Sequence, residues 1–340
     1  MTIANHQIFE AGDIRLHSGE TLVSACLAYV THGELNSAKD NAIVFATRVG
    51  GTHADNGYLV GPGHALDPDR WFIVVPNQLG NGLSSSPSNT PAPQDRARFP
   101  VINHHDNSAL QHRLMTEVFG VERLALAVGF SMGGQQAYHW AVDIPDAVAR
   151  LAPICCTART TPHTEVFVEG LKAALTTDPA WNSGDYDVQP RAGFNALARV
   201  WAGWGLSQAF YRERQFEGMG FTTIDEFLTN FWEARYAAAD ANNLLSMLTT
   251  WRASDVSDTV VHGGDLAAAL GAITAKTLVL PGRTDLYFPP EDNEIETAMI
   301  PDAECRVIPS DFGHAAGGGA NQDDVAFLDA ALRDLLQTEA

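Results

Sequence analysis

Short, almost continuously apolar runs recur along the chain at residues 22–31, 42–47, 72–76, 124–129, 151–155, 277–281 and 304–309. Such runs read as buried strands, and their lack of alternation fits parallel strands covered on both faces. Between several of them lie segments with helical spacing, at 107–119 and 135–142. Strand alternating with helix predicts βαβ units and an open, mostly parallel sheet with flanking helices. The middle of the chain is different. From about Thr160 to His262 strand signals vanish and helix-compatible runs take over, at 165–175, 194–202, 224–238 and 242–251. Five of the seven tryptophans fall here, which suits a lid packed on a core and the lining of a cleft. Residues 160–262 are therefore expected to form a helical lid domain, inserted into a core made of residues 1–159 and 263–340. The serine- and proline-rich stretch 84–98 is expected to be a surface loop.

Composition narrows the partners. The chain has 340 residues, 45% hydrophobic and 18% charged, which is a globular balance with enough length for a deep core. Lys and Arg total 21 against 41 Asp and Glu, a formal charge of −20. So acidic a surface repels phosphate backbones and anionic lipid, which argues against nucleic-acid and membrane partners. No stretch reaches the roughly 20 apolar residues of a membrane helix. Residues 1–16 lack a basic segment followed by a long apolar run, so no leader is expected. Cys26, Cys155, Cys156 and Cys305 sit in apolar contexts and form no CxxC pair. They read as buried, reduced thiols, which points to the cytoplasm. The adjacent His104 and His105 lack the spacing of a helical zinc site. Neither a metal nor a cofactor is expected.

The chemistry concentrates at Gly129-Phe130-Ser131-Met132-Gly133, directly after a buried run and before a helical one. In that setting G-x-S-x-G forms a turn so tight that the serine adopts strained backbone angles and its hydroxyl stands proud of the sheet edge. A serine hydroxyl needs a base, and the base needs an orienting acid. In this architecture the chain order is serine, acid, histidine. Asp285 follows the 277–281 strand and His314 follows the 304–309 strand, so both reach the edge that carries Ser131. Asp311 and Asp292 compete with Asp285 for the acid role. An oxyanion needs two donors. One is expected to be the Met132 N–H, the other an N–H of the loop 47–52, with Val49 chosen and Arg48 its near competitor. The chain carries neither G-x-G-x-x-G after a strand nor GxxxxGK[ST], which argues against a nucleotide site.

Several strings resemble the homoserine O-acetyltransferase family of α/β-hydrolase-fold proteins, together with its esterase-like relatives. They are Tyr29-Val30-Thr31-His32-Gly33-Glu34-Leu35-Asn36, Gly61-Pro62-Gly63 with Asp67-Pro68-Asp69-Arg70, and Phe130-Ser131-Met132-Gly133-Gly134-Gln135. Further on come Asp240-Ala241-Asn242-Asn243, Thr284-Asp285-Leu286-Tyr287-Phe288-Pro289-Pro290 and Gly313-His314. The resemblance implies an α/β-hydrolase fold, a Ser131, Asp285 and His314 triad, an acyl-enzyme intermediate and a homodimer built through the lid. The departures bear on function. The transferases carry an acidic residue after the catalytic histidine that helps hold the amino group of homoserine, whereas this chain has Ala315-Ala316-Gly317-Gly318-Gly319. A buried ammonium without a carboxylate partner is costly. The glycines also suggest an open or mobile edge to the site. Residues 52–56 (THADN) depart from the transferase pattern as well. The lid has seven basic residues against thirteen acidic ones, which does not favour polyanionic coenzyme A. The expected activity is hydrolysis of short-chain acyl esters, acetates above all, with a small-molecule ester as partner. Homoserine O-acetyltransferase is the alternative, and a non-catalytic binding protein of the same fold the third.

Overall fold

The computed structural model describes residues 5–338; the leader expectation at residues 1–16 falls partly on residues 1–4, outside the described residues. The first half of the chain supplies β1 (Gln7–Arg15), β2 (Thr21–His32), β3 (Ala42–Ala46), β4 (Phe72–Pro76), α1 (His104–Arg113), β5 (Leu126–Phe130), α2 (Met132–Asp143) and β6 (Arg150–Ile154). After a helical stretch come β7 (Lys276–Val279) and β8 (Ala303–Cys305), completing one sheet of order β1-β2-β4-β3-β5-β6-β7-β8. From β4 to β8 every pairing is parallel, while β1 and β2 join antiparallel. The mostly parallel sheet is as expected. β3, β4 and β5 are buried at every position, because helices cover both faces there.

The sequence missed β1. Only Phe9 and Ala11 of this edge strand are buried, and its pairing with β2 slips on either side of Gly12, where φ is +68°. A bulged, half-exposed strand leaves little apolar periodicity to detect. A second correction concerns residues 84–98. Ser84, Ser85 and Ser86 are buried rather than on the surface. The Ser84 hydroxyl accepts from the Ala28 N–H at 2.9 Å and donates to the Asn77 carbonyl at 2.6 Å, and Ser85 Oγ accepts from the Cys26 N–H at 2.9 Å. These hydroxyls satisfy β2 backbone groups that have no strand beside them. A third correction is that only Cys155 and Cys156 are buried; Cys26 and Cys305, on outer strands, are half-buried, and all four thiols are free.

Between β6 and β7 run α3 (Pro162–Thr176), α4 (Arg191–Gly205), α5 (Gln208–Arg212), α6 (Ile224–Phe227), α7 (Ala241–Arg252) and α8 (Leu266–Gly271). The helices α3 to α7 form their own aromatic cluster, which closes on Val49, Met132, Tyr287 and Phe288 of the sheet's carboxyl edge. The Asp240-Ala241-Asn242-Asn243 string has a local explanation. Asp240 caps α7 by accepting from the Asn243 N–H at 2.9 Å, and Asn243 Nδ2 donates to Ser88 Oγ at 2.8 Å.

The segments entering α3 and leaving α7 meet at one place. Thr160 N–H donates to the Ser254 carbonyl at 2.8 Å, Val256 N–H to the Ala158 carbonyl at 3.2 Å, and Arg159 Nε meets Asp255 Oδ2 at 2.8 Å. Glu296, on α9 (Pro290–Thr297), accepts from the Ala158 and Arg159 N–H groups at 2.7 and 3.2 Å. Burial pushes the Glu296 carboxyl up to about 8 despite those two bonds. The folded state therefore holds a proton that the unfolded chain releases near pH 4.3, so this group's contribution to stability falls as pH rises from there to about 8 and is then level. Glu296→Gln is expected to remove that slope. Against pH 5, the wild-type midpoint at pH 8.5 should drop further than the variant's, by on the order of a few degrees. Parallel thermal-melt profiles for the two proteins would refute the assignment.

Candidate active site

Ser131 sits between β5 and α2 with φ 59° and ψ −128°, the strained turn that the sequence predicts. The glycines around it are required by space. A Cβ on Gly129 would lie 2.1 Å from the Gly133 carbonyl carbon, and one on Gly133 would lie 2.3 Å from the Ala46 carbonyl oxygen. The strand can thus pass against the first turn of α2 only where no side chain intervenes.

The other two residues arrive from later loops. His314 Nε2 stands 2.9 Å from Ser131 Oγ, and His314 Nδ1 stands 2.7 Å from Asp285 Oδ2. Asp285 is buried, and its Oδ1 accepts from the Tyr287 N–H at 2.8 Å and the Phe288 N–H at 3.2 Å. The imidazole is gripped by the rings of Phe130 and Tyr287, with centroids 4.7 and 4.6 Å away. The competing carboxylates are elsewhere: Asp311 pairs with Arg283 at 2.7 Å, and Asp292 lies in the first turn of α9. Beneath the site, burial pushes the Cys155 thiol far above its ordinary value, so it stays protonated.

The stretch after His314 corrects one expectation. It is a close-packed turn rather than an open edge. A Cβ on Gly317 would meet the Phe130 ring at 2.6 Å, one on Gly319 the Tyr58 ring at 2.6 Å, and Tyr58 OH donates to the Gly317 carbonyl at 2.6 Å. The glycines are there because aromatic rings lie against the backbone.

Ser131 and His314 open onto a cavity of about 690 Å³ whose walls include Val49, Trp201, Trp251 and Ala315. Met132 opens α2, so its N–H has no intrahelical acceptor and lies at the positive end of the helix. Val49 is on the loop after β3. Two buried amides that the sequence reading missed flank this loop. Gln78 Nε2 donates to the Arg48 carbonyl at 2.9 Å, and Gln136 Nε2 donates to the carbonyls of Thr47 and Met132 at 3.0 and 3.1 Å. One signal was available in the sequence, since Gln136 is a polar residue five positions after Ser131 in a run with helical spacing. Among the described residues, no cluster of His, Cys, Asp and Glu could hold a metal ion, and no helix is long and apolar enough to cross a membrane.

A doubly covered parallel sheet, a serine on a strained strand-to-helix turn, and an aspartate and histidine lined up with it from later loops are the arrangement of an α/β-hydrolase fold. The family described as "alpha/beta hydrolase fold" matches residues 60–317, and the chain belongs to that family. Within it, the chain is 42% identical to the ethyl acetate hydrolase of Pseudomonas veronii, across 100% of this chain and 98% of that protein. It is similar to the solved structure of the acetyl esterase MekB, with a TM-score of 0.97 and 40% identity, covering 98% of this chain and 97% of that one. A homoserine O-acetyltransferase of Geobacter sulfurreducens is more distant, at 31% identity over 89% of this chain and 90% of that protein. The likeness read from the short strings thus extends over nearly the whole sequence.

Proposed function

We propose that the chain is a serine hydrolase of short-chain acyl esters, acetates in particular, acting through Ser131, His314 and Asp285. The observation that carries the reading is the unbroken hydrogen-bonded line from Ser131 Oγ through His314 to a buried Asp285. In the first half-reaction Ser131 Oγ attacks the ester carbonyl while His314 Nε2 takes its proton. Asp285 holds the Nδ1–H and stabilises the imidazolium. Met132 and Val49 N–H groups receive the oxyanion. His314 then returns the proton to the departing alcohol, leaving an acetyl-enzyme. Water, deprotonated by His314, attacks that ester, and the acid leaves as Ser131 recovers its proton.

Choice of Val49 over Arg48 is supported by peptide orientation. In a trans peptide the C=O and the following N–H point opposite ways. The Arg48 carbonyl faces Gln78, beyond β4, so the Val49 N–H faces the other flank, where β5 leads to Ser131. The Thr47 carbonyl faces Gln136 on α2, so the Arg48 N–H points away from the nucleophile.

Hydrolysis rather than transfer is supported by the names and higher identity of the ester-hydrolase relatives, and by Ala315 in the cavity wall where the transferases resembled here carry an acid. In the same reading residues 160–262 act as the lid, the protein pairs through it as a homodimer, and its home is the cytoplasm. Supporting these are the apolar Val166, Val188, Met219 and Ile224, exposed in this stretch, and the four free thiols. The test is a pair of assays. Turnover of p-nitrophenyl acetate without O-acetylhomoserine formation from acetyl-CoA and homoserine is the expected result. Efficient homoserine acetylation would overturn it, and inactivity in both would favour a binding role.

A further inference from the structure

The two glutamines beside the site are built in a way that packing alone does not require. Gln78 and Gln136 are fully buried polar side chains, each bonded to main chain of the loop that carries Val49. The orientation of the Gln136 amide is fixed from far off. Trp140 Nε1 can only donate, and it donates to Gln111 Oε1 at 2.9 Å. Gln111 must then turn its NH₂ outward, and it donates to Gln136 Oε1 at 2.7 Å. Gln136 is left with its NH₂ facing the sheet, where its two hydrogens meet the Thr47 and Met132 carbonyls. One side chain therefore ties the peptide chain of the loop to the first residue of α2. From the other flank, Gln78 Nε2 and the Gly51 N–H, at 2.9 and 3.1 Å, hold the Arg48 carbonyl. The Gln78 N–H also donates to Thr47 Oγ1 at 3.0 Å.

We propose that Gln136 and Gln78 are positioning residues that clamp the Thr47–Arg48–Val49 backbone from opposite sides and so aim the Val49 N–H at the oxygen of the reacting carbonyl. The inference rests on the ester-hydrolase reading above. Neither side chain is part of the cavity wall. Their effect is to fix a donor whose alignment counts only once the carbonyl oxygen has moved toward its tetrahedral position. Backbone pinned by two amides does not have to reorganise when charge develops, which is where the gain lies.

The test compares Gln136→Met and Gln78→Met, near-isosteric changes that delete the donors, with Ser131→Ala as a parallel control. Because removing a donor from an oxyanion site costs about 10²–10³ in kcat, misaligning one is expected to lower kcat for p-nitrophenyl acetate by about ten- to a hundred-fold. KM should move by less than about threefold. Inhibition by an aryl trifluoromethyl ketone, whose adduct with the serine places an oxyanion in the same spot, should weaken in step with kcat/KM. A loss that only reflected looser folding would lower the active fraction and leave the inhibition constant of the remainder unchanged. Wild-type kcat in Gln78→Met overturns the proposal even if Gln136→Met fails to fold, because the Arg48 carbonyl of that variant keeps its Gly51 bond. A change confined to KM overturns it too. Should Ser131→Ala retain activity, the fault lies in the hydrolase reading itself and not in the glutamines.

Discussion

Alanine at position 131 is expected to lower kcat for p-nitrophenyl acetate on the order of 10⁶-fold, since it removes the hydroxyl bonded to His314 Nε2. Folding should survive. The serine hydroxyl is hydrogen-bonded to His314 Nε2 at the wall of a cavity, and alanine retains the Cβ that already tolerates φ 59°. Neighbouring Cys155 offers no substitute, because burial keeps its thiol protonated. The check is steady-state turnover alongside circular dichroism and thermal melts. More than a few per cent of wild-type activity in a folded Ser131→Ala protein would mean that the nucleophile is another residue.

Asp285→Asn is expected to cost about 10⁴-fold in kcat with little change in KM or in the melting midpoint. The reason lies in the two oxygens. Oδ1 accepts from the Tyr287 and Phe288 N–H groups, so an asparagine must keep its carbonyl there and present its NH₂ to His314. His314 Nδ1 would then accept, the ring proton would sit on Nε2, and no lone pair would remain to take the proton of Ser131. The loss should be partly relieved at high pH, where hydroxide can replace the base. A variant within tenfold of wild type would show that the carboxylate is not what sets the tautomer.

The strained turn at Ser131 was legible because everything it needs is local: a buried run, two glycines at fixed offsets, and a helix. His314 and Asp285 were legible by their order and by the ends of strands they follow. What the sequence hid is held by distant contacts. Gln136 looks like any polar residue on a helix until Thr47, from another strand's loop, is seen against it. Gln78 lies in no motif at all. The same holds for the serines at 84–86, whose composition reads as a loop while their hydroxyls complete the backbone bonding of β2. Glycines 317 to 319 suggested looseness, and only the rings of Phe130 and Tyr58 reveal that they mark crowding. β1 escaped notice because an edge strand with two buried side chains has almost no apolar signature.

The crossing of residues 158–160 with 254–256 has a consequence for how such a molecule diversifies. Where a long excursion begins and ends at a single stitched point, a change of length within it can be absorbed without moving the strands or the serine turn. In the hydrolase reading, the residues that break the ester bond and the helical residues that wall the cavity can then change separately.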